Sequence, residues 1–260
     1  EYPVLHFDLS TFKNCDLSLF PEKFDMQLRR FEKQFGIEDM RKSAGNRLTQ
    51  LIEQAESMTG RKVVIIIDEY DAPLLDVLHD ETKLEAVRTI MQEFYAPIKA
   101  NSSHIHFAFI TGITKFSQLS IFSTINNLTN ISMDPEFSTI CGITKDELNT
   151  VLKEDIALLA SKNHVSFERM RELLRENYDG YHFSREGEDI FNPYSLMRSF
   201  AAGFIDNYWY ASGTSTYLIH QMQHFHTDVT TLDDMFAFSS SFDAVFPQIM
   251  CVGMLIFAVI

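Results

Sequence analysis

The segment Val63–Ile67 constrains the fold of this chain more than any other, because it is a run of five β-branched aliphatic residues. A strand of this composition has no polar face, so the sequence predicts that both of its faces are covered, as in a parallel sheet flanked by helices. Further strands are predicted at Val4–Leu9, Ile105–Ile110 and Leu128–Met133, with helical patterns between them. This alternation predicts an α/β fold with right-handed crossovers.

Two carboxylates, Asp68 and Glu69, follow the aliphatic run directly. This is the Walker B pattern of P-loop ATPases, in which one carboxylate holds Mg²⁺ through its water shell and a second polarises the attacking water. We therefore assign the metal role to Asp68 and the base role to Glu69. Thr111, where the next predicted strand ends, matches a polar sensor of the γ-phosphate or the attacking water. The alternative interpretation is a buried strand that ends in a solvated acidic turn.

A phosphate-binding loop of the form G-x-x-x-x-G-K-[ST] does not occur in the 260 residues, because none of the ten glycines is followed by lysine. The backbone amides and the lysine of such a loop bind the β- and γ-phosphates. Either the module is degenerate or the loop lies upstream of residue 1. A nuclease-type metal site formed by Asp8, Asp68 and Glu69 is ranked last, because Lys62 lies at the wrong end of its strand to serve it.

Longer motifs extend over nearly the whole chain in a fixed order: Tyr2–Phe7, Val64–Pro73, Phe109–Ser117, Ser120–Leu128, Tyr178–Phe183, Phe191–Ser195 and Asn207–Trp209. Together they strongly resemble the bacterial AAA-ATPase-like proteins, which often carry a PD-(D/E)xK nuclease-like domain at the carboxyl end. The resemblance implies ATP and Mg²⁺ as ligands, Asp68 and Glu69 as the Walker B pair and Thr111 as the sensor. It also implies a phosphate loop before the first strand.

Two further positions follow from this resemblance. Lys115 lies in the G-x-[ST]-K-F stretch of the family, where it either reaches phosphate or is a surface lysine that caps a loop. The segment Ser212–Ser215 departs from the family, whose members usually have Thr-Gly-Thr-Pro there. Without the proline this turn is less rigid, and no role is assigned to it.

The chain is divided into three regions on these grounds. Residues 1–140 are predicted to form a partial AAA-ATPase-like core, a P-loop NTPase-like parallel sheet that lacks its first strand. Residues 141–245 are predicted to form a mainly helical lid, for which a winged helix is one candidate arrangement. Residues 246–260 are predicted to begin a further element or the nuclease-like domain.

Composition and charge narrow the functional classes. A formal net charge of −14 disfavours direct binding to nucleic acid. The three cysteines are far apart in sequence and suggest neither a disulfide framework nor a metal pair, which favours a cytoplasmic location. The apolar segment Ile249–Ile260 is shorter than the roughly 20 residues that a bilayer span needs, so no membrane association is expected. His220, His224 and His226 are a weak metal-site candidate, and helix-surface histidines are the stronger interpretation.

The sequence thus predicts a fragment of an ATP-binding, ATP-hydrolysing AAA-like protein that is inactive alone. The alternative is an interaction scaffold with a vestigial nucleotide site.

Overall fold

The computed structural model describes residues 1–13, 15–38, 43–78, 80–112, 128–184, 186–208 and 255–259. The chain divides into two compact units, of which the first comprises Glu1–Ile131 and Leu255–Ile260 and the second comprises Ser132–Met254. The division lies slightly before the predicted boundary at residue 140, and Leu255–Ile260, the end of the third predicted region, is grouped with the first unit. The assignment of these regions as ATPase core, lid and nuclease-like start stays a prediction.

The first unit is built on a mixed sheet whose described strands follow the order β1-β2-β3-β5-β4. These strands are β1 (Val4–Asp8), β2 (Val63–Asp68), β3 (Ile105–Gly112), β4 (Thr129–Asn130) and β5 (Leu255–Val259). β1, β2 and β3 are mutually parallel, whereas β5 is antiparallel to both β3 and β4. The predicted α/β class with a parallel core is therefore confirmed, and it is consistent with a P-loop-like fold.

Helices separate the parallel strands, and their ends follow local sequence signals. The described helices of this unit are α1 (Phe20–Gln34), α2 (Ala44–Thr59), the single turn α3 (Ala72–Leu75) and α4 (Glu81–Ala100). Gly60 ends α2 in the left-handed conformation, with φ of 66°, which glycine adopts without steric cost. The Asp80 side chain accepts a hydrogen bond from the Lys83 amide and caps the start of α4.

One face of the parallel sheet is fully buried against the long helices. Phe7 of β1 packs edge-on against Phe31 of α1 and Phe94 of α4, with ring centroids 5.4 and 5.3 Å apart. Alternate residues of β2 are fully buried in the same cluster. The described residues leave the opposite face, which includes Val64 and Ile66, only half-buried. The prediction that both faces are covered is thus met on one face within the described part of the chain.

The second unit is mainly helical in its described part. It contains α5 (Lys145–Thr150), α6 (Lys153–Lys162), α7 (Phe167–Tyr178) and α8 (Pro193–Ala202). The sequence Thr144-Lys-Asp-Glu147 predicts a capping box at the start of α5. The structure contains it, because the Thr144 hydroxyl accepts from the Glu147 amide while the Glu147 carboxylate accepts from the Thr144 amide. Asn192 caps α8 as its sequence predicts, and Pro193 occupies the first turn.

Helical spacing in the sequence predicts that Met58, Val151, Met197 and Phe204 lie on the inward faces of their helices, but all four are exposed in the structure. Met58 lies in the last turn of α2, and Val151 occupies the cap that ends α5. The buried face of α8 is formed around Leu196, so its neighbour Met197 points elsewhere. Phe204 follows the left-handed residue that ends α8, so the helical periodicity no longer applies to it.

None of the helices in the described ranges is both long enough and apolar enough to cross a membrane.

A buried ion pair joins α1 to α2 on the covered side of the sheet. The Arg47 guanidinium donates two hydrogen bonds to the Glu32 carboxylate, at 2.6 and 2.7 Å, and a third to Asp25 at 3.0 Å. Glu32 is 1% exposed and Arg47 is 6% exposed, so water does not replace a lost partner. Removing one member of such a pair leaves an uncompensated buried charge.

We predict that Arg47→Met lowers the free energy of unfolding by about 3–5 kcal/mol, because it leaves the Glu32 carboxylate buried without its cation. The matched control is Arg29→Met, which removes an exposed partner of Asp25 and should cost at most about 1 kcal/mol. Urea denaturation followed by circular dichroism measures both. Equal effects of the two substitutions would contradict the burial argument.

Candidate active site at the carboxyl edge of the sheet

The ends of β2 and β3 bring two of the predicted residues into direct contact. The two strands pair in parallel with Ile67 opposite Ile110, so the residues that follow, Asp68 and Thr111, meet at the same edge. The Thr111 hydroxyl donates a hydrogen bond to the Asp68 carboxylate. The Glu69 amide lies 3.1 Å from Asp68 Oδ1 and 3.3 Å from Thr111 Oγ1. Asp68, Thr111 and the Glu69 backbone therefore form one hydrogen-bonded cluster.

The turn after β2 is held tightly against the end of β3. Glu69 adopts a left-handed conformation with φ of 49°, which is unfavourable by about 1–2 kcal/mol for a residue other than glycine. The Tyr70 amide donates to the Thr111 carbonyl at 2.8 Å, which helps to offset this cost. A Cβ added at Gly112 would lie 2.4 Å from the Tyr70 ring and 2.6 Å from Asp71 Oδ1. Only glycine therefore fits at this position without displacing the turn.

Buried polar groups below the turn are hydrogen-bonded to it. The Tyr95 hydroxyl donates to the Tyr70 carbonyl at 3.0 Å, and both side chains are fully buried. Burial raises the pKa of the Tyr95 phenol well above its usual value, and the neighbouring Tyr70 and Asp71 raise it further. Tyr95 thus remains a neutral donor. From its sequence position, Asp71 either assists the acidic pair or caps the turn that follows. In the structure it is 1% exposed and lies beneath the surface of the site.

The Glu69 carboxylate forms an ion pair with the Lys13 ammonium group. Lys13 follows the short 3₁₀ helix Leu9–Phe12, which begins where β1 ends. The register of β1 and β2 places Asp8 opposite Asp68, so the segment after β1 reaches the same edge of the sheet. Sequence reasoning did not identify Lys13. The available signal was its position just after a strand that neighbours the Walker B strand.

Among the remaining candidates, the structure describes Asp8. The Asp8 carboxylate accepts the Ser10 amide at 2.9 Å and caps the 3₁₀ helix. No group of three or more His, Cys, Asp or Glu residues in the described part of the chain is arranged to hold a metal ion. Lys115 and the histidines 220, 224 and 226 lie outside the described residues.

The fold and this site define an α/β protein with an acidic cluster at the carboxyl edge of a parallel sheet, where ligands bind in open α/β folds. Residues 1–122 match the sequence model of the AAA-ATPase-like family, described as predicted AAA-ATPase. The resemblance predicted from the motifs is confirmed over these residues. The nuclease-like domain and the phosphate loop before the first strand stay predictions.

One relative is the "Uncharacterized protein in vnfD 5'region" of Azotobacter chroococcum mcd 1, which is 33% identical over 188 residues. The aligned region covers 72% of this chain but 34% of the relative, so the chain spans about a third of the protein it matches. No solved structure matches the chain.

We predict that Gly112→Ala lowers the free energy of unfolding by about 1–3 kcal/mol, because the new methyl group overlaps the Tyr70 ring. Gly60→Ala is a control without a clash, since no atom lies within 4 Å of the added Cβ, and it measures the cost of a left-handed alanine alone. Urea denaturation compares the two. Wild-type stability of the Gly112→Ala variant would contradict the close packing of the turn.

Thr111→Val should cost about 1–3 kcal/mol, because the isosteric side chain cannot donate to Asp68 or accept from the Glu69 amide. Thr111→Ser keeps the hydroxyl and should retain most of that stability. Thermal and urea unfolding of the three proteins test this difference. If valine and serine are equivalent at this position, the hydroxyl does not organise the cluster.

Proposed function

We propose that this chain is part of an ATP-binding, ATP-hydrolysing AAA-like protein and supplies its metal-and-water strand. The observation that carries the proposal is the hydrogen bond between Thr111 and Asp68 at the carboxyl edge of the parallel sheet. Asp68 and Thr111, to which the sequence assigns the metal role and the sensor role, meet there although they lie in different segments. The family of residues 1–122, a predicted AAA-ATPase, supports the same reading.

The residues fit a magnesium ion that is shared with a nucleotide. Mg²⁺ usually keeps several waters and uses one or two carboxylates together with substrate phosphates, so a protein cage of three carboxylates is not required. Asp68 would hold the ion through its water shell. Mg²⁺, when bound, neutralises the charge that develops on the phosphates.

The other roles belong to this chain's own side chains. Glu69 would accept a proton from the attacking water or orient it, as a general base does. Thr111 would contact the γ-phosphate or that water with its hydroxyl group. Lys115 would bind phosphate, although its position lies outside the described residues.

A longer natural protein would supply the phosphate loop, which the 260 residues do not contain. We place it before β1, and we place the start of a nuclease-like domain near the carboxyl end of this chain. The described helices of the second unit would act as a lid, with a winged helix as one candidate form. By itself the chain should hydrolyse no ATP, because most phosphate contacts are absent. A cytoplasmic location agrees with its scattered cysteines.

An interaction scaffold with a vestigial nucleotide site is the second candidate. It is favoured by the contact of Glu69 with Lys13, since an ion-paired carboxylate is not poised to act on water. The sequence upstream of residue 1 distinguishes the two, because only an ATPase needs the G-x-x-x-x-G-K-[ST] loop there.

We predict that Glu69→Gln in the natural longer protein lowers kcat for ATP hydrolysis about a hundredfold or more, since general-base catalysis contributes at least that factor. Nucleotide affinity should be retained, because the amide keeps the size of the side chain. Glu85→Gln is the matched control, as Glu85 is an exposed residue of α4 that pairs with Arg88. Phosphate release and equilibrium nucleotide binding are the measurements. Undiminished turnover with Glu69→Gln would refute the assigned role.

A further inference from the structure

Lys13 is delivered to the edge of the sheet by an anchored segment. Phe12, the preceding residue, is 1% exposed and packs against Phe20 and Phe24, with ring centroids 5.0 and 4.7 Å apart. The Lys13 amide donates to the Ser10 carbonyl at 3.1 Å and closes the 3₁₀ helix. The backbone of Lys13 is therefore held in place, while its ammonium group reaches Glu69.

The partner of Lys13 is held by its backbone rather than by its side chain. The Glu69 amide donates hydrogen bonds to Asp68 and Thr111, which fix the backbone but not the side chain. The position of the carboxylate therefore depends on the neighbouring cation. The side chains of Lys13 and Glu69 are 40% and 37% exposed. An ion pair this exposed biases the position of the carboxylate by a factor of about five at most. A competing anion can therefore replace it at little cost.

We propose that Lys13 is a positioning residue that holds the Glu69 carboxylate until an anionic ligand, the terminal phosphate of a nucleotide, takes over its ammonium group. Once Lys13 is engaged by phosphate, Glu69 is free to turn toward the attacking water. The inference rests on the proposed function, because it assumes that phosphate binds at this edge. Beyond the proposed function, the inference assigns a role to Lys13, which would link the binding of the phosphate to the position of the Glu69 carboxylate.

A fixed structural ion pair is the competing explanation. It would predict that Lys13 stays with Glu69 whether or not a ligand is bound. Such a pair would contribute only to stability, or would orient Glu69 throughout turnover.

The first experiment tests the ion pair in the 260-residue chain without nucleotide. A water-soluble carbodiimide couples an amine to a carboxylate in direct contact, forming an amide while the reagent takes up the lost water as a urea. Mass spectrometry of the digested protein should find a Lys13–Glu69 cross-link, which disappears in Lys13→Arg and in Glu69→Gln. The internal control is the Lys145–Asp189 pair of the second unit, whose side chains are similarly exposed, at 43% and 47%. Absence of the Lys13–Glu69 link while the control link forms would overturn the proposal.

The second experiment repeats the cross-linking in the natural longer protein with Mg²⁺ and a non-hydrolysable ATP analogue. The proposal predicts that the yield of the Lys13–Glu69 link falls about fivefold, the factor by which such a pair is biased. The Lys145–Asp189 link should not change. An unchanged Lys13–Glu69 yield in the presence of bound nucleotide would show a fixed pair and overturn the proposal.

Steady-state kinetics of the same longer protein separate the possible roles of Lys13. Lys13→Met should raise KM for ATP about tenfold, through loss of one charge-assisted hydrogen bond, and should change kcat much less. Lys13→Arg should restore KM, and Lys145→Met should leave both constants unchanged. A loss of kcat as large as that of Glu69→Gln, with KM unchanged, would overturn the proposal, and so would unaltered kinetics.

These outcomes distinguish failure of the inference from failure of the proposed function. If Glu69→Gln retains full turnover, the function is wrong, whereas the cross-link in the isolated chain still reports on the ion pair. If Glu69→Gln abolishes turnover but Lys13→Met leaves KM unaltered, the ATPase function stands and the role of Lys13 is refuted.

Discussion

The hydrogen bond from Thr111 to Asp68 is the contact on which the rest of the site depends, because it ties two parallel strands together where both end. This hydrogen bond fixes the Asp68 carboxylate, which accepts a hydrogen bond from the Glu69 amide. The Thr111 hydroxyl oxygen is a second acceptor for the same amide. The left-handed turn that follows is stable only while these acceptors are in place. The same turn places the Tyr70 ring against Gly112, so the hydrogen bonds at the surface and the packing beneath them share one origin.

The fold was predictable where hydrophobic periodicity and capping signals are strong. The aliphatic run of β2 predicted a parallel sheet. The capping signals in the sequence coincide with helix boundaries in the structure, since Gly60 ends α2 and Thr144 and Asn192 precede α5 and α8. Predictions of single inward side chains failed at Val151 and other positions near helix ends, where a cap interrupts the periodicity. The antiparallel strand β5 could not be predicted, since its pairing with β3 and β4 depends on contacts remote in sequence.

The site was predictable to the extent that it follows from strand register. Residues at the carboxyl ends of neighbouring parallel strands must meet, which is why Asp68 and Thr111 could be paired from their positions alone. The direction of the Glu69 side chain depends on a positive φ angle that no local rule assigns to glutamate. The approach of Lys13 depends on how Phe12 is buried. Both are tertiary effects, so a motif alone could not have revealed them.

Two ion pairs of the first unit show how burial separates structural from exchangeable contacts. Arg47 and Glu32 are almost completely buried and joined by two parallel hydrogen bonds, so separating them would leave charges without water. Lys13 and Glu69 have the same kinds of charge but remain more than a third exposed, so solvent can replace either partner. A contact of the first kind holds α1 against α2 and resists exchange with solvent. A contact of the second kind can respond to a ligand, and it lies at the one edge of the sheet where the predicted phosphates would bind.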